Sequence, residues 1–479
     1  MLKLDTILSL AKRKGFVFQS SEIYGGLNGC WDYGPLGVEL LRNYKEVWWK
    51  AMTYRDNIEG LDAAILMHPR TWDASGHTKQ FSDPMIDNKV SKSRHRADNL
   101  IEDFIDKMRK KNKNEIALEI ETKLSLVQEN EDYFKIIMDY QIPDPVSGTT
   151  DWTEVRNFNL MFKTFVGPIE DSSNVVYLRP ETAQGIFVNF KNVMESARQK
   201  VPFGIAQIGK AFRNEINTKN FLFRTREFEQ MEMQYFVKPG TEAEAFEYWK
   251  NERMNWYIEL GMSKENLKFK NHDKLAHYAN NAVDIEFNFP FGFGEIEGIH
   301  SRTDFDLKNH QEFSNKKMEY VDTVNGERFI PYVIETSGGV SRGVMAFLCN
   351  AYREENLSDE NGKTDMRVVM KFHPKLAPIK AAVFPLVNKD GMPEKAINIY
   401  KDLQKEYKVE YDTSGAIGRR YRRQDEIGTP YCITIDGDSV ADNTVTIRHR
   451  DTMLQDRINA DNLVSYIREN LDTAFKNLD

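Results

Sequence analysis

The chain has 479 residues, of which 41% are hydrophobic and 29% charged, with 28 glycines and 16 prolines. That composition excludes a collagenous, low-complexity or wholly disordered chain, and at about 150 residues per domain it predicts roughly three domains. Its 65 basic and 73 acidic residues leave a formal charge of −8, which excludes a general polyanion binder and confines any nucleic-acid contact to local patches.

Residues 1–16 place Leu4, Leu8 and Ala11 on one helical face before the basic Lys12-Arg13-Lys14. They lack the apolar stretch and small-residue site of a signal peptide. No apolar run reaches the roughly 18 residues that span a bilayer, so no membrane partner is expected. Cys30, Cys349 and Cys432 are far apart and form no disulfide framework, which points to the reducing cytoplasm. The glycine-rich stretch 25–37 is followed by no Lys-Ser/Thr, which excludes a Walker-type phosphate loop. Residues 38–52 are a predicted helix, with Leu41, Tyr44 and Trp48 in one stripe, and 63–67 a short apolar strand closed by His68-Pro69. Residues 94–113 form a second predicted helix through Leu100, Ile101, Phe104, Ile105 and Met108. Charge-rich sequence continues to a turn cluster at 141–150, so this stretch has the character of an insertion into a larger core.

Between 154 and 351 the pattern changes to strands with short helices. Residues 203–215 and 228–237 are two predicted strands joined by a polar loop. Period two puts Met231, Met233, Tyr235 and Val237 on one face of the second strand and Phe228, Gln230, Glu232 and Gln234 on the other. Arg213 and Glu215 share a face of the first. Such a pair offers an arginine fork for phosphate oxygens and an aromatic face for a base. Taken alone, an ordinary half-solvated sheet is the better reading of it. Residues 332–336 are a strand, Ser337-Gly338-Gly339 a tight break, and 341–352 a helix with Arg342 in its first turn. A cation gains nothing from a helix N-terminus, so Arg342 is expected to answer a ligand's negative charge. Beyond His373-Pro374, strands at 380–387, 409–412, 430–435 and 445–448 alternate with helices at 393–407, 418–424 and 459–470, a compact α/β module.

Arg213-Asn214-Glu215 with Phe223 to Phe228 resembles motif 2 of the class II aminoacyl-tRNA synthetases, Gly339 to Arg342 resembles motif 3, and 38–69 resembles motif 1. WDYGPLG (31–37), WDASGH (72–77), HRAD (95–98), LRPETAQGIFVNF (178–190), REFEQME (226–232), RTDFDL (302–307) and ETSGG (335–339) extend the resemblance to the homodimeric glycyl-tRNA synthetase family, from near Gly15 onward. The resemblance implies an α/β (α+β) fold: an antiparallel-sheet catalytic core at 1–85 and 151–373, a helical insertion at 86–150 and an anticodon-binding domain at 374–479. It also implies a homodimer that activates glycine with ATP and Mg2+ and transfers it to tRNA.

Carried over by position, the family's ATP contacts are Arg213, Asn214, Glu215, Phe223, Arg224, Thr225, Arg226, Glu227, Phe228, Glu295, Ile296, Gly339, Val340, Ser341 and Arg342. Arg213 and Arg342 are the catalytic pair, Phe228 stacks on adenine, and Glu295 is the group expected nearest the magnesium. The implied glycine contacts are Arg96, Glu181, Phe228, Glu229, Gln230, Met231, Glu232, Glu335, Thr336, Ser337, Gly338 and Gly339. Arg419, Arg420, Arg422 and Arg423 are the implied anticodon contacts. A substrate without a side chain is identified by its ammonium, its carboxylate and the absence of anything larger, so clustered carboxylates and a cramped wall suit glycine. Two departures stand out: Thr336 replaces the family's usual proline, and Asn88 and Ser91 stand where some relatives carry paired cysteines, so no structural zinc is expected. The alternative is a non-catalytic synthetase-like protein that binds nucleic acid as an accessory. Such a protein would have lost the ATP arginines, whereas this chain keeps Arg213 and Arg342.

Overall fold

A computed structural model describes residues 2–168, 170–272, 280–358 and 364–472. Seven strands form its central sheet: β1 (Ile58–Gly60), β2 (Phe203–Phe212), β3 (Glu227–Val237), β4 (Leu267–Asn271), β5 (Asn281–Phe289), β6 (Gly292–Thr303) and β7 (Tyr332–Gly339), in the order β4-β5-β6-β7-β3-β2-β1. Every pairing is antiparallel except that of β1 with β2. The helices Pro35–Thr53, Glu242–Glu259 and Val340–Ala351 contribute to the core on one face, where Tyr44, Trp48, Met52, Trp249, Val344 and Phe347 join Met231, Met233, Ile285 and Ile299 from the strands. Each such side chain contributes about 1.5–3 kcal/mol by leaving water. The opposite face is apolar at one end, where Ala183, Ile186, Phe187, Phe203, Ile205, Phe236 and Val333 cluster. The rest of that face is polar and carries the site.

Local sequence explains the framing helix. Pro35 opens Pro35–Thr53 with its fixed φ and missing N–H, and Gly37 is required because a Cβ there would lie 1.7 Å from the Phe16 carbonyl oxygen. Trp48 is fully buried inside the subunit, and Trp49 packs against Gly60, where a Cβ would meet its ring at 2.6 Å. Residues 63–67 are not a strand: they alternate between half-buried and exposed with a single isolated bridge at Leu66, and the strand lies earlier, at β1. Nor is there a break at Ser337-Gly338-Gly339. These residues finish β7, paired with β3 and in part with β6, and the helix starts at the next residue.

Two compact units are present, Met1–Ile65 with Glu181–Asp479, and Leu66–Pro180. In the second, helices Ala97–Lys110, Asn114–Ser125 and Asn130–Asp139 pack with Ile86 and Trp152 around Ile101, Ile105, Ile120 and Ile137. The first of these three helices begins at Ala97 rather than 94, because Arg94 to Arg96 pair as a strand with Met85 to Asp87. The Asn88 side-chain oxygen accepts from the backbone N–H of Val90 and of Ser91 at 3.0 Å each, closing that turn with hydrogen bonds.

The C-terminal module of the first unit has a five-stranded sheet in which Ala381–Pro385 lies between Val409–Tyr411 and Tyr431–Ile435, followed by Thr444–His449 and Gln455–Asn459. The last strand and the helix Gly437–Asp442 were not expected, because both are short and polar. Buried Arg367, from the strand Thr364–Met370, pairs with Asp425 at 2.8 Å, and Arg448 pairs with the same carboxylate at 2.9 Å.

Candidate active site

The polar face of the sheet is organised in rows set by strand register. Gln207, Glu232, Ser337, Gly298 and Asp284 stand opposite one another across β2, β3, β7, β6 and β5. The next row holds Gln234, Glu335 and His300. Glu232 is 2% exposed. Its oxygens accept from Thr182 Oγ1 at 2.5 Å, Ser337 Oγ at 2.6 Å and Gln230 Nε2 at 3.0 Å. Burial raises its carboxyl to about 7, and the charges of Glu335 and Glu181 push the same way.

Glu335 behaves oppositely. Burial alone would raise it, but Arg302 Nη1 at 2.9 Å and His300 Nδ1 at 2.8 Å hold it down to about 2, and Gln234 Nε2 donates to it at 2.6 Å. Arg302 is in turn held by both oxygens of Asp306, at 2.9 and 3.0 Å. Gln184 bridges Glu181 and Asp306 from the start of the short helix Ala183–Val188, donating to each at 2.9 Å. The result is a cavity of about 200 Å3 lined at one end by Glu181, Glu232, Glu335, Arg302 and Ser337.

Arg213, Glu215, Phe223, Arg224, Thr225, Phe228, Glu295, Gly339, Ser341 and Arg342 line the same cavity. The Arg213 guanidinium lies 5.2 Å from the Phe228 ring centroid. Arg342 lies 4.6 Å from that of Phe223, donates through Nε to the Phe223 carbonyl at 3.0 Å, and pairs with Glu295 at 2.9 Å. Burial would raise the Glu295 carboxyl, but Arg342 outweighs it and holds the group below its ordinary range. Strict alternation would put Glu295 on the helix side with Ile299. The register shift of β6 against β5 supplies one extra residue between Glu295 and Gly298, which turns Glu295 to the cavity.

Several expected site residues lie elsewhere. Met231 and Thr336 are fully buried on the helix side because the strands alternate, Ile296 joins them through the register shift, and Val340 is buried in the core at the start of its helix. Gly338 falls on that side too, with a built Cβ 3.5 Å from Met231. Glu229 reaches the cavity edge but is tied to Lys45 at 2.9 Å, and Glu227 pairs outside with Lys210 at 2.8 Å. Arg226 folds the motif 2 loop by donating to the carbonyls of Glu215 and Asn28 at 2.9 and 2.6 Å. Asn214 is not among the lining residues. Arg96 belongs to the other unit, where Asp83 and Asp98 hold it at 2.9 and 2.5 Å.

The arginine run also divides. Arg420 is 3% exposed and donates to the carbonyls of Pro385, Leu386, Asp412 and Gly415, so its side chain is part of the module's interior rather than of any nucleic-acid surface. Arg422 pairs with Asp365 and Arg423 with Asp412, while Arg419 is exposed.

Sequence reasoning assigned no role to Thr182, Gln207, Gln234, His300 or Arg302. Gln207 had a usable signal as an amide following Phe203 and Ile205 on one strand face, and Gln234 had one as the next residue on the face of Gln230 and Glu232.

The anticodon binding domain family matches residues 380–470, the tRNA synthetase class II core domain (G, H, P, S and T) matches 164–352, and glycyl-tRNA synthetase insertion domain 1 matches 83–125 and 117–160. The chain is 56% identical to a glycine–tRNA ligase of Chlorobaculum tepidum over 98% of its own length and 100% of the relative's. It is 54% identical to that of Treponema denticola, covering 98% and 97%, and 54% identical to that of Staphylococcus haemolyticus, covering 97% and 98%.

Proposed function

The chain belongs to the glycine–tRNA ligases of aminoacyl-tRNA synthetase class II, and from that premise we propose how its cavity divides the work. A glycine–tRNA ligase joins glycine to ATP as glycyl-adenylate, releases pyrophosphate, and passes glycine to the 3′ end of tRNA. Glu181, Glu232 and Glu335 receive the glycine ammonium. The observation that carries this assignment is the pair of hydroxyls, Ser337 and Thr182, that fix both oxygens of a buried Glu232. The carboxylate is rigid, desolvated and has like-charged neighbours, so a small cation is the partner that relieves it. Ser337 also fills the space where the side chain of a larger amino acid would go.

ATP enters as its magnesium complex. Phe228 takes the adenine, with Arg213 over the ring reaching the α-phosphate, where negative charge grows as the glycine carboxylate attacks. Arg342 leaves Glu295 for the outer phosphates, and Glu295 is then freed beside the magnesium. Catalysis is positioning and charge stabilisation, with no side chain required as general base. Exposed Arg419 is the cation of its helix best placed for the anticodon stem-loop.

The chain acts as a homodimer in this reading. Ile23, Tyr24 and Leu27 are 88%, 86% and 55% exposed and offer the apolar patch an isologous contact needs. Light scattering at micromolar concentration that returns a monomer mass refutes it. No helix among the described residues is long and apolar enough to cross a membrane, and the unpaired Cys30, Cys349 and Cys432 support a cytoplasmic location.

Pyrophosphate exchange into ATP, measured with each amino acid in turn, tests the assignment. Glycine should support it and alanine and serine should not. Equal exchange with alanine removes the role given to Ser337.

A further inference from the structure

Beside the ammonium pocket, at the far edge of the sheet, three side chains converge that the reaction does not use. His272 follows the end of β4, Asp284 lies on β5 and His300 on β6. Their donor atoms all lie within 4.8 Å of one another. His272 Nε2 stands 2.8 Å from Asp284 Oδ1, yet this nitrogen is buried and makes no hydrogen bond, because it is not aligned with the carboxylate. His300 uses Nδ1 toward Glu335, at 2.8 Å. In the neutral imidazole whose Nδ1–H donates, Nε2 keeps a lone pair.

The space between them is kept open by Gly298, directly across the register from Asp284. A Cβ at that position would lie 3.1 Å from His300 Nε2, 2.8 Å from His300 Cε1 and 3.4 Å from Asp284 Oδ1. Any side chain there would press on His300 and Asp284. The φ of Gly298 is not in the left-handed region, so the backbone does not account for the glycine. Room is what it supplies.

We propose that His272, Asp284 and His300 form a binding site for a divalent cation of the zinc class. Two imidazoles and one carboxylate around a vacant centre suit a borderline ion with bonds of about 2.0–2.2 Å and leave one position for water. Magnesium, which prefers an all-oxygen shell, is poorly served by two nitrogens. Glu335 supplies the supporting carboxylate that commonly orients a metal-bound imidazole. The ion therefore braces Glu335 through His300, and His300 is a positioning residue for the ammonium pocket. This coupling rests on the glycine assignment above. The binding site itself does not.

The test uses the full-length protein, stripped with chelator and titrated with Co2+ in the absence of ATP and glycine. One equivalent should develop the visible ligand-field band of a low-coordinate nitrogen–oxygen site, and Zn2+ should bleach it. Because the known magnitude for disturbing a metal's ligand environment is about 10–100-fold, His272→Ala and Gly298→Ala should weaken Co2+ binding at least tenfold. His449→Ala, in the C-terminal module, should leave it unchanged. Absence of the band in the wild-type protein, or its persistence in His272→Ala, overturns the site. In activity assays the Zn2+-loaded enzyme should show a glycine KM several-fold below that of the stripped enzyme, with the ATP KM unaltered and no difference in His272→Ala. Stoichiometric Co2+ binding without any change in glycine KM overturns the brace on Glu335. Loss of glycine specificity in the stripped enzyme would instead count against the pocket assignment, which the spectrum does not read.

Discussion

Ser337 faces Glu232 directly across the β3–β7 register and donates its hydroxyl to the carboxylate at 2.6 Å. The wall that limits substrate size and the charge that receives the ammonium are thus one hydrogen-bonded unit. Glu232→Gln keeps the shape and removes the charge. Losing one partner of a desolvated pair costs about 2–5 kcal/mol, so kcat/KM for glycine should fall by roughly 30- to 4,000-fold, with the ATP KM changed far less. Glu229→Gln, on the other strand face and tied to Lys45, should lower it no more than about fivefold, the scale of a part-exposed ion pair. The opposite ranking in pyrophosphate exchange would mean the ammonium lies elsewhere.

The same carboxyl sets a pH dependence. Burial and two neighbouring carboxylates raise Glu232 to about 7, and glycine needs it ionised. Between about pH 5.5 and 7 the logarithm of kcat/KM for glycine should rise with unit slope, then level off, and the inflection should vanish in Glu232→Gln. The sign reverses for stability. A carboxyl that holds its proton more tightly folded than unfolded contributes stability below the ordinary carboxylate range, and that stability is lost as pH rises through about 7. Thermal melts of the unliganded protein should therefore show Glu232→Gln more stable than wild type at pH 8, with the gap closing by pH 5.

Phe228 carries the Arg213 guanidinium 5.2 Å from its ring centroid, so an aromatic face for the adenine and a cation for its phosphate stand side by side. Stacking of a base on an aromatic side chain is worth about 1–3 kcal/mol. Phe228→Ala should raise the ATP KM by roughly 5- to 150-fold and leave glycine KM within about threefold. A change confined to glycine KM, read by pyrophosphate exchange at saturating ATP, would argue against the stack.

Adjacent arginines in the C-terminal module should behave differently. Arg420→Ala strands four carbonyl oxygens, those of Pro385, Leu386, Asp412 and Gly415. At about 1–3 kcal/mol for each group left truly buried and unpaired, the variant should unfold several degrees earlier. Arg419→Ala should melt like wild type and weaken only tRNA binding, with a smaller dependence on salt. Filter binding and calorimetry on the two variants distinguish the roles.

The face assignment of β3 was legible in the sequence because period two needs no partner: Phe228 and Glu232 face the cavity, and Met231 and Met233 face the helices. The helix after β7 was legible too, but not the strand running through Ser337-Gly338-Gly339, since small residues that mark a turn in isolation are tolerated in a central strand flanked on both sides. Glu181 was reached only through the family resemblance, and its link through Gln184 to Asp306 depends on contacts from distant parts of the chain. Arg420 was misassigned because a run of four arginines hides its own helical phase. That phase follows from the buried Gln424 and Ile427 and the half-buried Ile417, not from the charges.

The register shift in β6 makes the site depend on a backbone irregularity in a way it does not on composition. Were the same residues to run back from Gly298 in strict alternation, every side chain before the shift would exchange sides: Glu295 would enter the apolar layer beneath the sheet and Ile296 would emerge beside Arg342. A substitution at either position alters one contact, whereas a regular ladder with all residues kept would reassign half a strand. The local pairing of this stretch is therefore itself a functional property.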